Sequence, residues 1–257
     1  LGAEKKATIC LTKDDRAFIS QHIGDLHNPE TLDYYRQCIS HLQGILKSQP
    51  QALVCDLHPD YLSTAFAREQ NQLPVLTLQH HFAHIHAVMA ENKHEGEVLG
   101  LALDGTGLGE DGTLWGGELL YVDNLQNRQS RLGHFLPIAL PGGETAVQQP
   151  WRTAQSYLQA LGIFQPEKRQ WPWLQEYSAA SQFLPQMIEK RINCPLTSSC
   201  GRLFDAVSAL LGLCLEIEYE GQAAIRLERT QDLSDNFAYE CPVIERDGKW
   251  LDRKSVV

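Results

Sequence analysis

Residues 73–118 read "LPVLTLQHHFAHIHAVMAENKHEGEVLGLALDGTGLGEDGTLWGGE". "LPVLTL" (73–78) is a short continuous apolar run, the pattern of a buried parallel strand. The His-rich segment after it has helical character, and "EVLGLALDG" (97–105) is another such run. Upstream, "ALVCDL" (52–57) is a third, followed by the helix candidate "DYLSTAFAREQ". Strand, helix, strand, helix, strand is the order of a parallel α/β layer.

Outward from that stretch the pattern stays interpretable. "KKATICLTKDDRAFISQHIGD" predicts two short strands around the polar turn "TKDD". "NPETLDYYRQCISHLQGILKS" predicts a helix, with Leu32, Tyr35, Ile39, Leu42 and Leu46 at helical spacing and Asn28 or Thr31 as its cap. Downstream, "LALDGTGLGEDGTLWGGELLYV" reads as strand, turns and strand, "RLGHFLPIAL" as one more strand, and "PGGETAVQQPWRTAQSYLQALG" as a loop entering a helix. "GRLFDAVSALLGLCL" (201–215) is apolar and helical. Residues 165–200, rich in Gln, Trp, Pro and Ser, yield no order of elements. The expected division is a first α/β lobe over 1–96, carrying the His-rich helix, and a hairpin with part of a second lobe over 97–257.

Composition bounds the function. The 257 residues carry a formal net charge of −10, which repels the phosphates of nucleic acid and anionic membranes. Neither is expected as a general partner. The seven cysteines, an odd number, include no C-x-x-C pair, and most lie in apolar runs. They read as reduced, buried thiols of a cytoplasmic protein. Neither a signal peptide nor a membrane span is expected.

Four of the ten histidines fall between residues 80 and 86. On a helix His80 and His84 are i and i+4, one turn apart on one face, a spacing that lets two imidazoles ligate one divalent ion. Asp104, expected at the end of its strand, is the candidate carboxylate, and strand ends are where ligands collect in parallel layers. Two His and one carboxylate leave coordination positions open. The competing reading is an ordinary pair of packed or solvated histidines. His81 and His86 fall on other faces; His81 is a further catalytic candidate beside Asp104, weighed against a simply packed ring.

"DGTGLGEDGTLWGGE" (104–118) holds six glycines in fifteen residues. Its pattern is a β-hairpin with its tip near Gly109–Gly112. It is either a hairpin alone or one whose backbone approaches a phosphate, as in actin-like nucleotide-binding folds.

Taken together, "HHFAH", "LALDGTGLGEDGTLWGGE", "LGHFLPIALPGGETAVQQPWR", "GRLFDAVSALLG" and "YEGQAAIRLE" resemble the C-terminal, Kae1-like carbamoyltransferase domain of the hydrogenase maturation family HypF. "LGAEKKATICL", "SQHIGDL" and "CDLHPDYLST" match as well, so the resemblance runs to about Glu228. It implies an α/β fold of the actin-like ATPase, or ribonuclease-H-like, class that also holds sugar kinases and Hsp70, with an incomplete second lobe. It implies transfer of a carbamoyl group from carbamoyl-adenylate, made from carbamoyl phosphate and ATP, to the C-terminal cysteine of the partner HypE. That product is the source of cyanide on the iron of [NiFe]-hydrogenases. His80, His84 and Asp104 would hold Fe or Zn. Gly105, Thr106 and Gly107 would approach the phosphate, Lys6 would offset charge there, and Arg202, Asp205 and Glu220 would lie near the nucleotide. For Arg202 and Glu220 a surface or structural ion pair is the competing reading.

The family continues with an "SGGVFQN"-type loop and a late "NDGG" segment that brings another Asp to the metal. Neither occurs here, so the chain reads as a piece of a longer protein with one metal carboxylate missing and no activating domains. Competing functions are O-carbamoylation of a small molecule, carbamoyl transfer to tRNA adenosine, a sugar-kinase-like phosphotransferase, or a docking module without catalysis.

Overall fold

The computed structural model describes residues 1–232, 234, 243–246 and 248–252. By internal contacts the chain forms two units, residues 1–83 with 108–110 and residues 84–107 with 111–257.

The first unit opens on an antiparallel hairpin, β1 (Cys10–Lys13) and β2 (Arg16–Ile19). Its turn holds Asp14 at φ 55°, a left-handed conformation that Asp tolerates better than bulkier residues. Helix α1 (Pro29–Leu46) follows. Of the two capping candidates Asn28 is the cap: its Oδ1 accepts the N–H groups of Glu30 and Thr31 at 2.9 and 3.3 Å, and Pro29 fills the first helical position. The predicted apolar stripe faces inward. Tyr35 is buried, and Leu32, Ile39 and Leu42 pack with it against Ala7, Ile9 and Leu26.

Strand β3 (Leu53–Asp56), helix α2 (Leu62–Glu69) and strand β4 (Val75–Leu78) form the expected strand–helix–strand unit, and β3 and β4 pair in parallel with Asp56 opposite Leu78. Tyr61 cannot cap α2 with its side chain, and the buried Glu4 takes over by accepting the Leu62 N–H at 2.7 Å. Helix α3 (His80–Glu91) begins one residue after β4.

The remaining elements are β5 (Glu97–Leu108), β6 (Leu114–Asp123), β7 (Arg128–Phe135), β8 (Ile138–Ala139), α4 (Glu144–Gln148), α5 (Pro150–Ala160), α6 (Leu174–Glu189), β9 (Leu196–Thr197), α7 (Cys200–Leu210), α8 (Gln222–Glu228), β10 (Val243–Arg246) and β11 (Lys249–Asp252). One sheet runs in the order β10-β11-β7-β6-β9-β8, with β5 also on β6.

This corrects the reading of 97–105 as a third strand of the β3–β4 layer. β5 extends to Leu108 and pairs with β6, its neighbour in sequence, because closing a short hairpin costs little chain entropy. Asp104 is therefore not at a strand end. Gly105 and Gly107 lie within the strand without ending it. "RLGHFLPIAL" splits into β7 and β8. The 201–215 helix stops at Leu210, where Gly212 takes the left-handed conformation (φ 70°) that closes a helix C-terminus.

Residues 165–200, unreadable in sequence, supply much of the second core. Trp171 and Trp173 stack at 5.7 Å and are buried with Trp151, Leu158, Leu184 and Ala206. Pro185 sits inside α6 and has no N–H for the Ser181 carbonyl; Gln155 Nε2 donates to that carbonyl instead, at 2.8 Å. None of the six described cysteines is in a disulfide; Cys55, Cys200 and Cys214 are buried, whereas Cys10 is exposed. Among the described residues no helix is long and apolar enough to cross a membrane.

Asn28→Ala should lower stability by about 1 kcal/mol, and Thr31→Ala by far less, because only Asn28 satisfies the first N–H groups of α1. Urea midpoints of the two variants check this.

Candidate metal centre and glycine hairpin

Helix α3 is capped by an unusual residue. The Oε1 of buried Gln79 accepts the N–H groups of His81 and Phe82 at 2.8 and 3.2 Å. Its Nε2 donates to the Leu108 carbonyl at 3.0 Å and faces His81 Nδ1 at 2.9 Å. With Oε1 committed to two backbone donors, Nε2 is the donor to His81. The His81 proton therefore sits on Nε2. His81 is fully buried in the first turn of the helix.

His80 and His84 lie one turn apart on the same face. His80 Nδ1 is 2.8 Å from Asp56 Oδ2, and Asp56 Oδ1 accepts the N–H of His58 at 2.9 Å. Burial pushes the Asp56 carboxyl up, but the hydrogen bonds from His80 and His58 outweigh it and hold the group below its usual value. His84 Nε2 lies 3.7 Å from Asp104 Oδ2. That is too long for a hydrogen bond. It is close to the roughly 3.4 Å separating two ligands of a tetrahedral ion with bonds near 2.1 Å. His84 and Asp104 each offer a ligand atom at this spacing, and His80 stands one helical turn before His84 on α3. Two imidazoles and one carboxylate suit Zn(II) or Fe(II).

Next to Asp104 the backbone is tightly determined. Its Oδ1 accepts the N–H of Gly105 at 2.6 Å. The Ser199 hydroxyl, at the N-cap of α7, reaches the carbonyls of Asp104 and Gly105 at 2.8 and 2.7 Å and accepts the Arg202 N–H at 3.2 Å. Two glycines permit this approach. A Cβ at Gly116 would lie 2.5 Å from the Asp104 carbonyl oxygen, and one at Gly201 would lie 2.8 Å from Gly105 Cα. Gly105 itself is different: the side on which it would carry a Cβ has no heavy atom within 4 Å.

The hairpin tip lies at residues 109–113, as expected, and a charge network braces it. Glu118, fully buried, accepts the N–H groups of Gly116 and Gly117 at 3.0 and 3.1 Å and the Ser198 hydroxyl. Arg131 donates to Glu118 at 2.7 Å and to Asp111 at 2.9 Å, and its guanidinium lies 4.1 Å from the Trp115 ring centre. Burial pushes Asp111 up, but hydrogen bonds from Thr113 and Trp115 and the Arg131 charge hold it below its usual value.

Other candidates are placed differently. Thr106 is exposed on β5 and Gly107 is buried. Lys6 is exposed in the turn before Ala7. Arg202 and Asp205 form a buried ion pair on α7, 2.8 Å apart, and burial, opposed by Arg202, raises the Asp205 carboxyl. Glu220 is exposed in the turn before α8. Asp56, Gln79, Glu118 and Ser199 were not sequence candidates. The one local signal was for Asp56, a carboxylate closing the apolar run "ALVCD".

The comparisons decide the family. The model described as "HypF Kae1-like domain" matches residues 1–91, and "Carbamoyltransferase, Kae1-like Domain, second subdomain" matches residues 100–257. The chain belongs to the HypF carbamoyltransferase family. It is 45% identical to carbamoyltransferase HypF2 of Cupriavidus necator over 231 residues, 89% of this chain and 28% of that protein. It is 45% identical to carbamoyltransferase HypF of Rhizobium leguminosarum bv. viciae over 227 residues, 88% of this chain and 29% of that protein. It thus spans less than a third of either relative. A crystal structure of full-length HypF in the phosphate- and nucleotide-bound form superposes with a TM-score of 0.89 at 36% identity, covering 98% of this chain and 32% of that one. HypF of T. kodakarensis gives 0.86 at 33% identity, covering 98% of this chain and 34% of that one. The expected α/β fold of the actin-like class is borne out.

The Asp111 network has a pH signature. A carboxyl held below its ordinary value of 3.8 contributes stability that is present above that value and lost as pH falls through the lowered one. Asp111→Asn should therefore flatten the fall of the urea midpoint below pH 3.8 and leave the steeper acid loss to the unmodified chain.

Proposed function

We propose that this chain is the transfer domain of a HypF-type carbamoyltransferase, moving a carbamoyl group from carbamoyl-adenylate to the C-terminal cysteine of HypE. The observation that carries the reading is the approach of His84, one helical turn after His80, to Asp104 beside Gly105, the glycine with open space on its free side. Family membership and the phosphate- and nucleotide-bound HypF neighbour support it.

In this reading His80, His84 and Asp104 hold the divalent ion, Fe or Zn. Bound there, the ion supplies Lewis-acid polarisation of a phosphate or carbamoyl oxygen. The chain's own residues do the rest. Gly105 lets the adenylate phosphate come against backbone where any side chain would intrude. Ser199 keeps the Asp104 and Gly105 carbonyls turned into α7, and Glu118 keeps Gly116 and Gly117 in place behind them. His81, buried and bonded to Gln79, stiffens the helix start rather than exchanging protons. The acceptor sulfur, as thiolate, attacks the carbamoyl carbon. The bond from that carbon to the phosphate oxygen breaks, and AMP leaves with the electron pair. The products are a thiocarboxamide and AMP; the thiol proton goes to solvent.

Metal content by plasma mass spectrometry, after anaerobic loading with Fe(II) or Zn(II), tests the centre. About one ion per chain is expected, with loss in His80→Ala and in His84→Ala; retention in both variants would refute these ligands. Gly105→Ala should leave the unfolding temperature almost unchanged, because nothing occupies that space. It should weaken binding of a carbamoyl-adenylate analogue about tenfold or more, a loss of at least 1.4 kcal/mol. Calorimetric titration reads the affinity, and unchanged binding would remove Gly105 from the phosphate site. Mass spectrometry of a peptide ending in Cys, incubated with carbamoyl-adenylate and the longer protein, tests the acceptor: carbamoylation of the thiol is expected, and an unmodified thiol beside a carbamoylated hydroxyl metabolite would overturn it.

A further inference from the structure

We infer that Asp56 is a positioning residue for the metal centre: it fixes the ring proton of His80 on Nδ1 and so turns the lone pair of Nε2 toward the ion. The inference rests on the reading of His80 as a ligand and adds a residue to which neither the family comparison nor the sequence assigns a role.

The argument is one of donors and acceptors. A neutral imidazole has one donor nitrogen and one acceptor nitrogen. An Asp carboxylate only accepts. At 2.8 Å from Asp56 Oδ2, His80 Nδ1 must be the donor, which leaves the lone pair on Nε2, the nitrogen a metal needs. Pairing of a ligand's far nitrogen with a carboxylate sets its tautomer, restrains ring rotation and raises its basicity.

Asp56 is built to be rigid in this role. Its side chain is only 5% exposed, against 19% for His80, so water competes weakly for the contact. Its Oδ1 is committed to the His58 N–H at 2.9 Å, and its backbone carbonyl accepts the Thr64 hydroxyl at 3.2 Å. Its backbone is the last rung of the parallel β3–β4 ladder, opposite Leu78, two residues before His80. Strand register therefore delivers the carboxylate to the first turn of α3. A bond serving only to tie β3 to α3 would not depend on which nitrogen carries the proton, and that difference is measurable.

The test uses Zn(II) as probe on the whole chain and its Asp56→Ala, Asp56→Asn, Thr64→Val and His84→Ala variants. Affinity is read by competition with a chromophoric chelator, and the His80 tautomer by imidazole 15N shifts in the metal-free protein. Expected are an Nδ1–H tautomer in the unmodified chain and a mixture in Asp56→Ala. Zinc affinity should fall about 10- to 100-fold in Asp56→Ala and in Asp56→Asn, whose one oxygen stays with the His58 N–H and leaves an amide NH2 against His80 Nδ1, and by far less in Thr64→Val. Should Asp56→Ala unfold, Asp56→Asn with the tautomer reading stands in for it. Zinc lost in His84→Ala but bound within twofold of the unmodified affinity in Asp56→Ala would overturn this inference alone. A chain that binds no zinc in any form would overturn the metal reading and this inference with it.

Discussion

One hydroxyl holds the site's backbone in place. Ser199 bridges the carbonyls of Asp104 and Gly105 while capping α7, so one oxygen ties strand β5 to helix α7. The contact is possible only because Gly116 and Gly201 present no Cβ to that stretch. Asp104 also accepts the N–H of its own neighbour Gly105, which commits one carboxylate oxygen and leaves Oδ2 toward His84. A short side chain on a pinned backbone has little freedom left to lose when a ligand arrives, and this is the condition for a preorganised site.

Buried charge behind the hairpin serves the same end. Glu118 and Arg131 side chains are 0% and 6% exposed, and removing ions from water costs several kcal/mol each. An apolar pair of equal volume could give equal stability. It could not accept the two N–H groups of Gly116 and Gly117 or reach Asp111 in the turn. The network exchanges stability for a defined backbone beside Asp104. The Asp56–His80 pair in the first unit follows the same logic on a smaller scale: a desolvated carboxylate with two donors, one of which is a metal-ligand candidate.

Much of this was legible from local pattern. Helical periodicity put His80 and His84 on one face because 3.6 residues per turn is a property of the chain, whatever surrounds it. Asn28 before Pro29, and the six-glycine run, marked a helix start and a hairpin for reasons equally local. Asp104 was paired with the histidines on an incorrect premise, since it lies inside β5 and not at its end. The residue that does close a parallel strand is Asp56, and its carboxylate pairs with His80 Nδ1.

What the sequence by itself determined is most of the elements outside 165–200, the pairing of His80 and His84 on one face of α3 and, through the ordered motifs, the HypF family. Only the tertiary structure decided which groups stand behind them. Asp56 and His80 are 24 residues apart and meet through the register of β3 on β4. Glu118 and Arg131 meet through β6–β7 pairing with a register shift between Leu119 and Leu120. Gln79 caps α3 because Leu108 supplies an acceptor for its amide. Register and long-range acceptors depend on how strands pair, and a period read along one segment holds no information about its neighbour.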